Sequence, residues 1–207
     1  LFYRENNRLK ISKNIDLLKE IPLENFVWID LNDVPEDAET ELEQFLKIYI
    51  QEEEEMEEIE ISSRYMETED TLVANSRFLL DNFEEEPISF IVKNHILVYV
   101  RSQELRSFNE TVKKMFANPR NYPNGFYILV ALLETRVEYD ADMIEELANE
   151  ITQLSNRLKT DDDVSDDILI AIKELQEKTM LIRENIIDKQ RVCSNMLKSE
   201  LFPNEAK

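Results

Sequence analysis

A long run of apolar residues at helical spacing constrains the fold of this chain more than any other feature. From residue 124 to about 159, apolar side chains follow one another at alternating intervals of four and three, and only Asp140 breaks the series. This spacing predicts one long helix with a sustained heptad seam, whose members we expect in a packed core. The seam consists of Phe126, Val130, Leu133, Val137, Ile144, Leu147, Ile151, Leu154 and Leu158.

A second series follows after the polar stretch KTDDDVSDD, which predicts a turn and an acidic helix start. Its apolar members are Ile168, Ile172, Leu175, Ile182, Ile186, Cys193 and Met196. Two long helices joined by a short turn are expected to pack as an antiparallel pair. Because the single cysteine falls within this seam, we interpret Cys193 as a small buried hydrophobe rather than a nucleophile.

The first half of the chain combines strand and helix signals. FVWIDL at 26–31 is a short apolar run typical of a buried strand, and Pro35 with the acids after it predicts the start of an amphipathic helix. Three β-rich runs follow, and the last two, PISFIVKN and HILVYVRS, are expected to form a hairpin around residues 93–95. A helix over 107–118 is predicted to pack on this sheet. We expect a sheet part, 1–123, and a helical part, 124–207, within one structural domain.

Charge and composition exclude several function classes. The chain has 45 acidic and 24 basic residues, a net charge of -21, which excludes an electrostatic footprint for nucleic acid and disfavours docking on anionic membrane surfaces. One glycine excludes glycine-rich phosphate loops. The single histidine, His95, falls in a predicted turn, where a structural role is expected, so imidazole-based catalysis lacks its usual partners. We therefore expect no enzymatic activity, and metal cations or basic proteins as partners.

Two acidic arrangements are candidates for binding a cation. The stretch QEEEEMEEIEISSRY at 51–65 predicts a short helix that packs through Met56 and Ile59 and turns its glutamates outward. On the first long helix, an acidic row lies beside the apolar seam: Glu134, Glu138, Asp142 and Glu145. Oxygen ligands at this spacing suit hard cations such as magnesium or calcium. A solvated charged face explains the same spacing, and both interpretations stay open.

In order along the chain, FVWIDL, EMEEIEISSRYMETEDTLVANSRF, ISFIVKNHILVYVR and FYILVALLETRVEYDADMIEELANEITQL resemble the cytoplasmic domain of the CorA-type magnesium and divalent-cation transporters. The resemblance covers about residues 24 to 190. The family's acidic motif, commonly Leu-Glu-Asp-Ile-Glu, is matched at 56–60, although Glu58 stands where the family usually has aspartate. The resemblance implies an α/β fold, in which a mixed β-sheet is sandwiched between helices and followed by two long antiparallel helices and the start of a stalk helix.

The same resemblance implies a regulatory role. In that family, magnesium or another divalent cation bound between soluble domains is thought to hold the pore of a homopentamer closed. The implied ligands are Glu57, Glu58 and Glu134. The family's membrane hairpin would follow Lys207, so we expect this chain to be the cytoplasmic domain of an inner or plasma membrane protein. The alternative is an acidic helical interaction module without cation sensing, which docks a basic partner or self-associates.

Overall fold

A seven-stranded mixed sheet forms the centre of the computed structural model, which describes residues 1–6, 8–32, 34–51, 55–56, 64–160 and 166–206. The strands are β1 (Phe2–Glu5), β2 (Arg8–Ile11), β3 (Phe26–Asn32), β4 (Tyr65–Glu67), β5 (Thr71–Leu79), β6 (Glu85–Lys93) and β7 (Ile96–Arg101). They lie in the order β2-β1-β3-β7-β6-β5-β4. Only β3 and β7 pair in parallel, with Trp28 opposite Leu97, and the other neighbours are antiparallel.

Helices cover both faces of this sheet. They are α1 (Leu17–Glu20), α2 (Glu36–Leu46), α3 (Arg106–Ala117), α4 (Gly125–Thr160) and α5 (Asp166–Met196). Successive side chains of a strand point to opposite faces, and β7 shows this clearly. Ile96 and Val98 pack with α1 and α2, whereas Leu97 and Tyr99 pack with α3, α4 and α5. The predicted α/β fold, with a mixed sheet sandwiched between helices and two long helices, is confirmed.

Aromatic side chains fill the core beneath α3 and α4. The Trp28 ring stacks on Phe2 at a centroid distance of 4.5 Å, and Tyr99 stacks on Phe108 at 4.1 Å. Trp28, Tyr99 and Phe108 are each at most 2% exposed. Burial of this much aromatic surface is a major source of folding free energy. This cluster also contains Phe126 of α4, so the sheet and the long helix share one core.

The β6–β7 hairpin and the start of α4 meet at the only glycine. Asn94 and His95 both have positive φ angles, 51° and 68°, as a tight two-residue hairpin turn requires. The Gly125 N–H donates to the His95 carbonyl at 2.7 Å. A Cβ atom at Gly125 would lie 2.3 Å from the Leu97 backbone nitrogen, so no other residue fits here without backbone movement. The predicted hairpin is confirmed, and His95 lies in its turn.

The two long helices are antiparallel, but the prediction that the whole seam of α4 is buried is wrong. Leu147 and Leu154 are buried. Four other seam residues, seven apart, are exposed by 56%, 44%, 46% and 38%: Val137, Ile144, Ile151 and Leu158. The reason is geometric. Leu147 shares a core cluster with Ile182 of α5, so α5 covers this side of the seam and leaves the other side exposed. The uncovered side forms the exposed stripe, defined by these four residues.

The prediction that the whole seam of α5 is buried is also wrong. Ile168, Ile182 and Met196 are buried, whereas Ile172 and Ile186 are 40% and 38% exposed. Cys193 is half-buried, and this burial raises the pKa of its thiol, which agrees with a packing role rather than a nucleophilic one.

The N-terminal half contains one element that the sequence did not predict and one that it predicted in part. The hairpin of β1 and β2 was not predicted. In the acidic stretch, Glu55 and Met56 are helical and Met56 is 7% exposed, as expected for the side that packs on the domain. The rest of that predicted helix, with Ile59, lies outside the described residues.

Candidate cation-binding region

Of the three implied ligands, the structure describes one. Glu134 is an exposed residue on α4, whereas Glu57 and Glu58 lie outside the described residues. The Glu134 side chain lies in a groove of about 620 Å³ between α4 and the C-terminal end of α5. The walls of this groove are mainly apolar, and they include Val137, Met196 and Phe202. A carboxylate at the edge of an apolar groove can still reach a ligand from solvent, because Glu134 makes no hydrogen bond or ion pair with a described residue.

Among the described residues, the acidic row predicted on α4 does not form a metal site. Glu134, Glu138, Asp142 and Glu145 are all exposed. Glu138 pairs with Lys114 of α3, whose ammonium lies 3.2 Å from its carboxylate. In the described part of the chain, no three Asp, Glu, His or Cys side chains come together as a metal ion would need. The described acids of this face can therefore supply at most part of a cation site.

The two ends of the acidic stretch are fixed to the same strand. Asn75 of β5, a buried residue, donates its backbone N–H to the Arg64 carbonyl at 2.7 Å. Its side-chain amide donates to the Gln51 side-chain oxygen at 2.8 Å. One residue of the central sheet therefore holds the chain both before and after the stretch that contains Glu57 and Glu58.

Arg64 is held by its side chain as well as its backbone. The guanidinium forms an ion pair with Asp188 of α5, and both side chains are largely buried. The Asp188 carboxylate also accepts from the Ser76 hydroxyl at 2.9 Å and from the Arg77 backbone N–H at 3.2 Å. Three donors on one carboxylate make a rigid connection between the end of the acidic stretch, strand β5 and helix α5.

Asp188 belongs to a larger group of charges that we call the buried ion cluster: Arg64, Arg136, Asp140, Asp188 and Lys189. Arg136 donates to Asp140 one turn away on α4, at 2.7 Å from its Nε. The Lys189 ammonium lies 3.2 Å from the other oxygen of Asp140, an ion-pair contact without hydrogen-bond geometry. The cluster therefore joins α4 to α5 as well as to the sheet.

Lys189 is a buried lysine of this cluster, and its pKa is perturbed. The side chain is 4% exposed, donates to Asn185, and places its ammonium 5.1 Å from the centre of the Phe78 ring. Burial lowers the pKa of Lys189 from 10.5 to about 8, although Asp140 acts in the opposite direction. Three cations share two carboxylates in the cluster, which is a further reason for the lysine to lose its proton readily.

The turn after α5 is attached to strand β4. Glu67 accepts from the backbone N–H groups of Glu200 and Leu201 at 3.0 and 3.3 Å and from the Tyr65 hydroxyl at 2.7 Å. Burial alone would raise the pKa of Glu67, but these hydrogen bonds together lower it. Burial also raises the pKa of Tyr65 to about 12. Phe202, the next residue of this turn, lines the groove that contains Glu134.

Sequence reasoning missed Asn75, Arg136, Asp188 and Lys189. Asp140 carried the one available signal, since a lone aspartate interrupts an otherwise apolar seam. Arg136 stands four residues before it, the spacing at which two side chains meet on a helix. The contacts of Asn75 and Asp188 join residues far apart in the chain, and no local pattern indicates them.

Comparison with known proteins gives one consistent result. The family described as "CorA-like Mg2+ transporter protein" matches residues 24–207. The chain is 35% identical over 192 residues to the magnesium transport protein CorA of Wolinella succinogenes, covering 88% of this chain and 60% of that protein. It is 33% identical over 224 residues to the corresponding protein of Campylobacter jejuni strain RM1221, covering 100% and 68%.

A solved structure shows the same fold at lower identity. The soluble domain of CorA from Methanocaldococcus jannaschii superposes with a TM-score of 0.68 at 19% identity, covering 86% of this chain and 74% of that one. This chain spans only 60% of the Wolinella relative. Within the described residues, none of the helices combines the length and the apolar character needed to cross a bilayer.

Proposed function

Because this chain belongs to the CorA-like Mg2+ transporter family, we propose that it is the cytoplasmic regulatory domain of a magnesium or other divalent-cation transporter. In this proposal, the full-length protein is a homopentamer in an inner or plasma membrane. Divalent cations bind between neighbouring soluble domains and bias the pore towards its closed state. Glu57, Glu58 and Glu134 are the proposed ligands, and the cation is regulatory.

The observation that carries this proposal is the state of Glu134. An exposed carboxylate without a described partner stands on a rigid helix, at the edge of an apolar groove, in a chain of net charge -21. Among the described residues no cluster of acids surrounds it, so any further protein ligands come from residues outside the described ranges or from another copy.

The physical trigger is the neutralisation of facing carboxylates. Without cations, acidic surfaces of neighbouring copies repel one another, and bound divalent cations remove this repulsion more effectively than diffuse screening does. A cation that binds only the closed arrangement shifts the population towards it by its difference in affinity for the two states. Glu58 stands where the family usually has aspartate. Its side chain is longer by one methylene, so its carboxylate oxygens lie further from the backbone than those of aspartate.

Limited proteolysis of the full-length protein over a range of magnesium concentrations tests the proposal. We expect magnesium to increase protease resistance, and the midpoint to move to higher concentration in the variant with both Glu57→Ala and Glu58→Ala, and in Glu134→Ala. Glu146→Ala is the matched control, because Glu146 is an exposed acid of the same helix that lies outside the acidic row. Unchanged midpoints in both test variants would show that these residues do not sense the cation.

The alternative function has one observation in its favour. The exposed stripe on α4 leaves four large apolar side chains uncovered at heptad spacing, which is the pattern of a surface that receives another helix. If the chain is a cation-independent interaction module that docks a basic partner, this association weakens as sodium chloride is added and does not distinguish magnesium from sodium at equal ionic strength. A response specific to magnesium at constant ionic strength contradicts this alternative.

A further inference from the structure

A second cavity, of about 610 Å³, shares no lining residue with the groove that contains Glu134. Three walls enclose it: the end of β5 with the turn after it (79–83), the loop before α3 with the first turn of that helix (103–107), and one side of α4. Its volume falls within the range of small-molecule sites. The proposed cation sensor does not use this space.

Hydrogen bonds hold each wall of the cavity in place. A backbone hydrogen bond of 2.8 Å closes the turn 80–84. In the loop, Gln103 donates its backbone N–H to the buried Glu86 carboxylate at 3.1 Å. The Arg136 guanidinium donates to the Leu79 carbonyl at 2.7 Å and so joins α4 to β5. The cavity is therefore formed before any ligand arrives, which lowers the entropic cost of binding.

Carboxylates outnumber the positive groups of this cavity. They come from all three walls: Asp81, Glu104, Asp142 and Glu146. Two arginines also line it, but Arg136 is already paired with Asp140. The N-terminus of α3 adds the equivalent of about half a positive charge. Even with Arg106 and this dipole counted in full, four carboxylates leave the cavity negative, so it favours a cationic ligand.

Arg106 shows how these walls hold a cation. Its guanidinium lies 3.6 Å from the Asp81 carboxylate and 5.4 Å from the centre of the Tyr139 ring. Both side chains of this ion pair are exposed, so an incoming ammonium group competes for the same carboxylate and the same aromatic face.

The spacing of the carboxylates selects the kind of cation. Among the described residues, no three acids come close enough together to hold a metal ion. The same walls carry apolar side chains, among them Leu80, Leu105 and Met143. Charges spread over three walls that also present apolar surface match a linear aliphatic polyamine, whose ammonium groups are separated by methylene chains.

A buried hydroxyl independently indicates a ligand. Ser107, in the first turn of α3, lines the cavity and is 2% exposed. Its Oγ has no hydrogen-bond partner among the described residues. A buried polar atom without a partner costs stability, and an ammonium group in the cavity would supply the missing donor.

We propose that this cavity binds a linear aliphatic polyamine. Asp142 pairs with an ammonium group, Ser107 accepts a hydrogen bond from the ligand, and the Tyr139 ring packs against its cationic chain. The site is independent of the proposed magnesium sensor, because none of these three residues is a proposed magnesium ligand.

Isothermal titration calorimetry of the full-length protein with spermidine tests this proposal. Excess magnesium occupies the proposed regulatory sites during the titration, and about 150 mM sodium chloride screens diffuse attraction to the net charge of -21. We expect one saturable site per chain, whose Kd rises about three- to tenfold in Asp142→Asn and in Ser107→Ala. Without spermidine, Ser107→Ala is expected to leave the melting temperature unchanged or higher, because it removes a hydroxyl without a described partner.

Two control variants carry matching chemical changes elsewhere. Glu184→Gln neutralises an exposed acid of α5 that does not line the cavity. Ser89→Ala removes another buried hydroxyl without a described partner. Ser89 points to the α1 and α2 face of the sheet, since its neighbour Phe90 packs on the opposite face. Neither control is expected to change the Kd for spermidine.

The outcomes decide whether the cavity is the site. Absence of saturable binding overturns the proposal, and so does an unchanged Kd in either Asp142→Asn or Ser107→Ala. If Glu184→Gln weakens binding as much as Asp142→Asn does, the overall negative charge holds the polyamine, which also overturns it. A raised Kd in both cavity variants with an unchanged Kd in both controls supports it.

Discussion

Lys189→Met is the change that tests the buried ion cluster most directly. Lys189 is 4% exposed, and its burial lowers the pKa of the ammonium from 10.5 to about 8. The folded protein therefore holds this proton less tightly than the unfolded chain does. Between pH 8 and 10.5, the unfolded state carries more protons, so the free energy of unfolding rises with pH in that window.

The magnitude follows from the two pKa values. The difference between 10.5 and about 8 corresponds to about 3 kcal/mol of stability, which is lost below pH 8 and fully regained above pH 10.5. Between pH 8 and 9.5, we expect the parent protein to gain about 1 to 2 kcal/mol relative to Lys189→Met. Methionine preserves most of the side-chain volume, and Arg136 and Arg64 still neutralise Asp140 and Asp188.

Urea unfolding at pH 7.0, 8.0, 9.0 and 9.5 measures this difference, with fluorescence of the buried Trp28 as the signal. Cys193, Tyr65 and Tyr99 have raised pKa values and act in the opposite direction, but they are present in both proteins and largely cancel in the difference. The ionic strength is held constant, because the chain carries a net charge of -21.

Lys178→Met is the matched control on the same helix. The ammonium of Lys178 pairs with Glu150 at 2.9 Å in a partly exposed position, so this variant removes a lysine of the same helix without removing a buried charge. A difference between parent and Lys189→Met that stays constant from pH 7 to 9.5 would refute the reasoning. It would mean that the folded protein keeps Lys189 charged throughout this range.

Two further predictions concern packing. Gly125→Ala is expected to lower the free energy of unfolding by about 3 kcal/mol, because the new Cβ would lie 2.3 Å from the Leu97 nitrogen and backbone atoms cannot rotate away. Thermal unfolding measures this loss, and a value below about 1 kcal/mol would show that α4 shifts freely. Leu154→Ala is expected to lower the free energy of unfolding by about 2 kcal/mol, because Leu154 is only 8% exposed. Ile151→Ala is expected to lower it by less than about 1 kcal/mol, because Ile151 is 46% exposed. Equal losses would contradict the assignment of the exposed stripe.

Elements with strong local signals were predictable from the sequence. The apolar run at 26–31 became β3 (Phe26–Asn32), and Pro35 precedes a helix that begins at Glu36. The long helices were recognised because 3.6-residue periodicity persists over many turns. The hairpin of β1 and β2 was missed because β2 buries only Leu9, so it shows little of the alternation that identifies a strand.

The candidate site was less predictable, for two physical reasons. The implied ligands were found by resemblance, and the row of acids on α4 looks the same in sequence whether it binds a cation or only water. The groups that hold the region together are joined by tertiary contacts, such as that of Arg64 with Asp188, which are 124 residues apart. Local patterns contain no information about such pairs.

Asp140 shows how sequence and structure combine in this chain. Heptad spacing assigned the seam of α4 to the core but did not say which side of it faces a partner. Burying a charged carboxylate in an apolar seam is costly without a paired cation, and Arg136 stands one turn away on the same helix. The interruption at Asp140 therefore marks the buried side, towards α5 and Lys189, whereas the uninterrupted residues Val137 and Ile144 face away. In this chain, the polar break in the apolar seam thus marks the position where ion pairs connect α4 to α5.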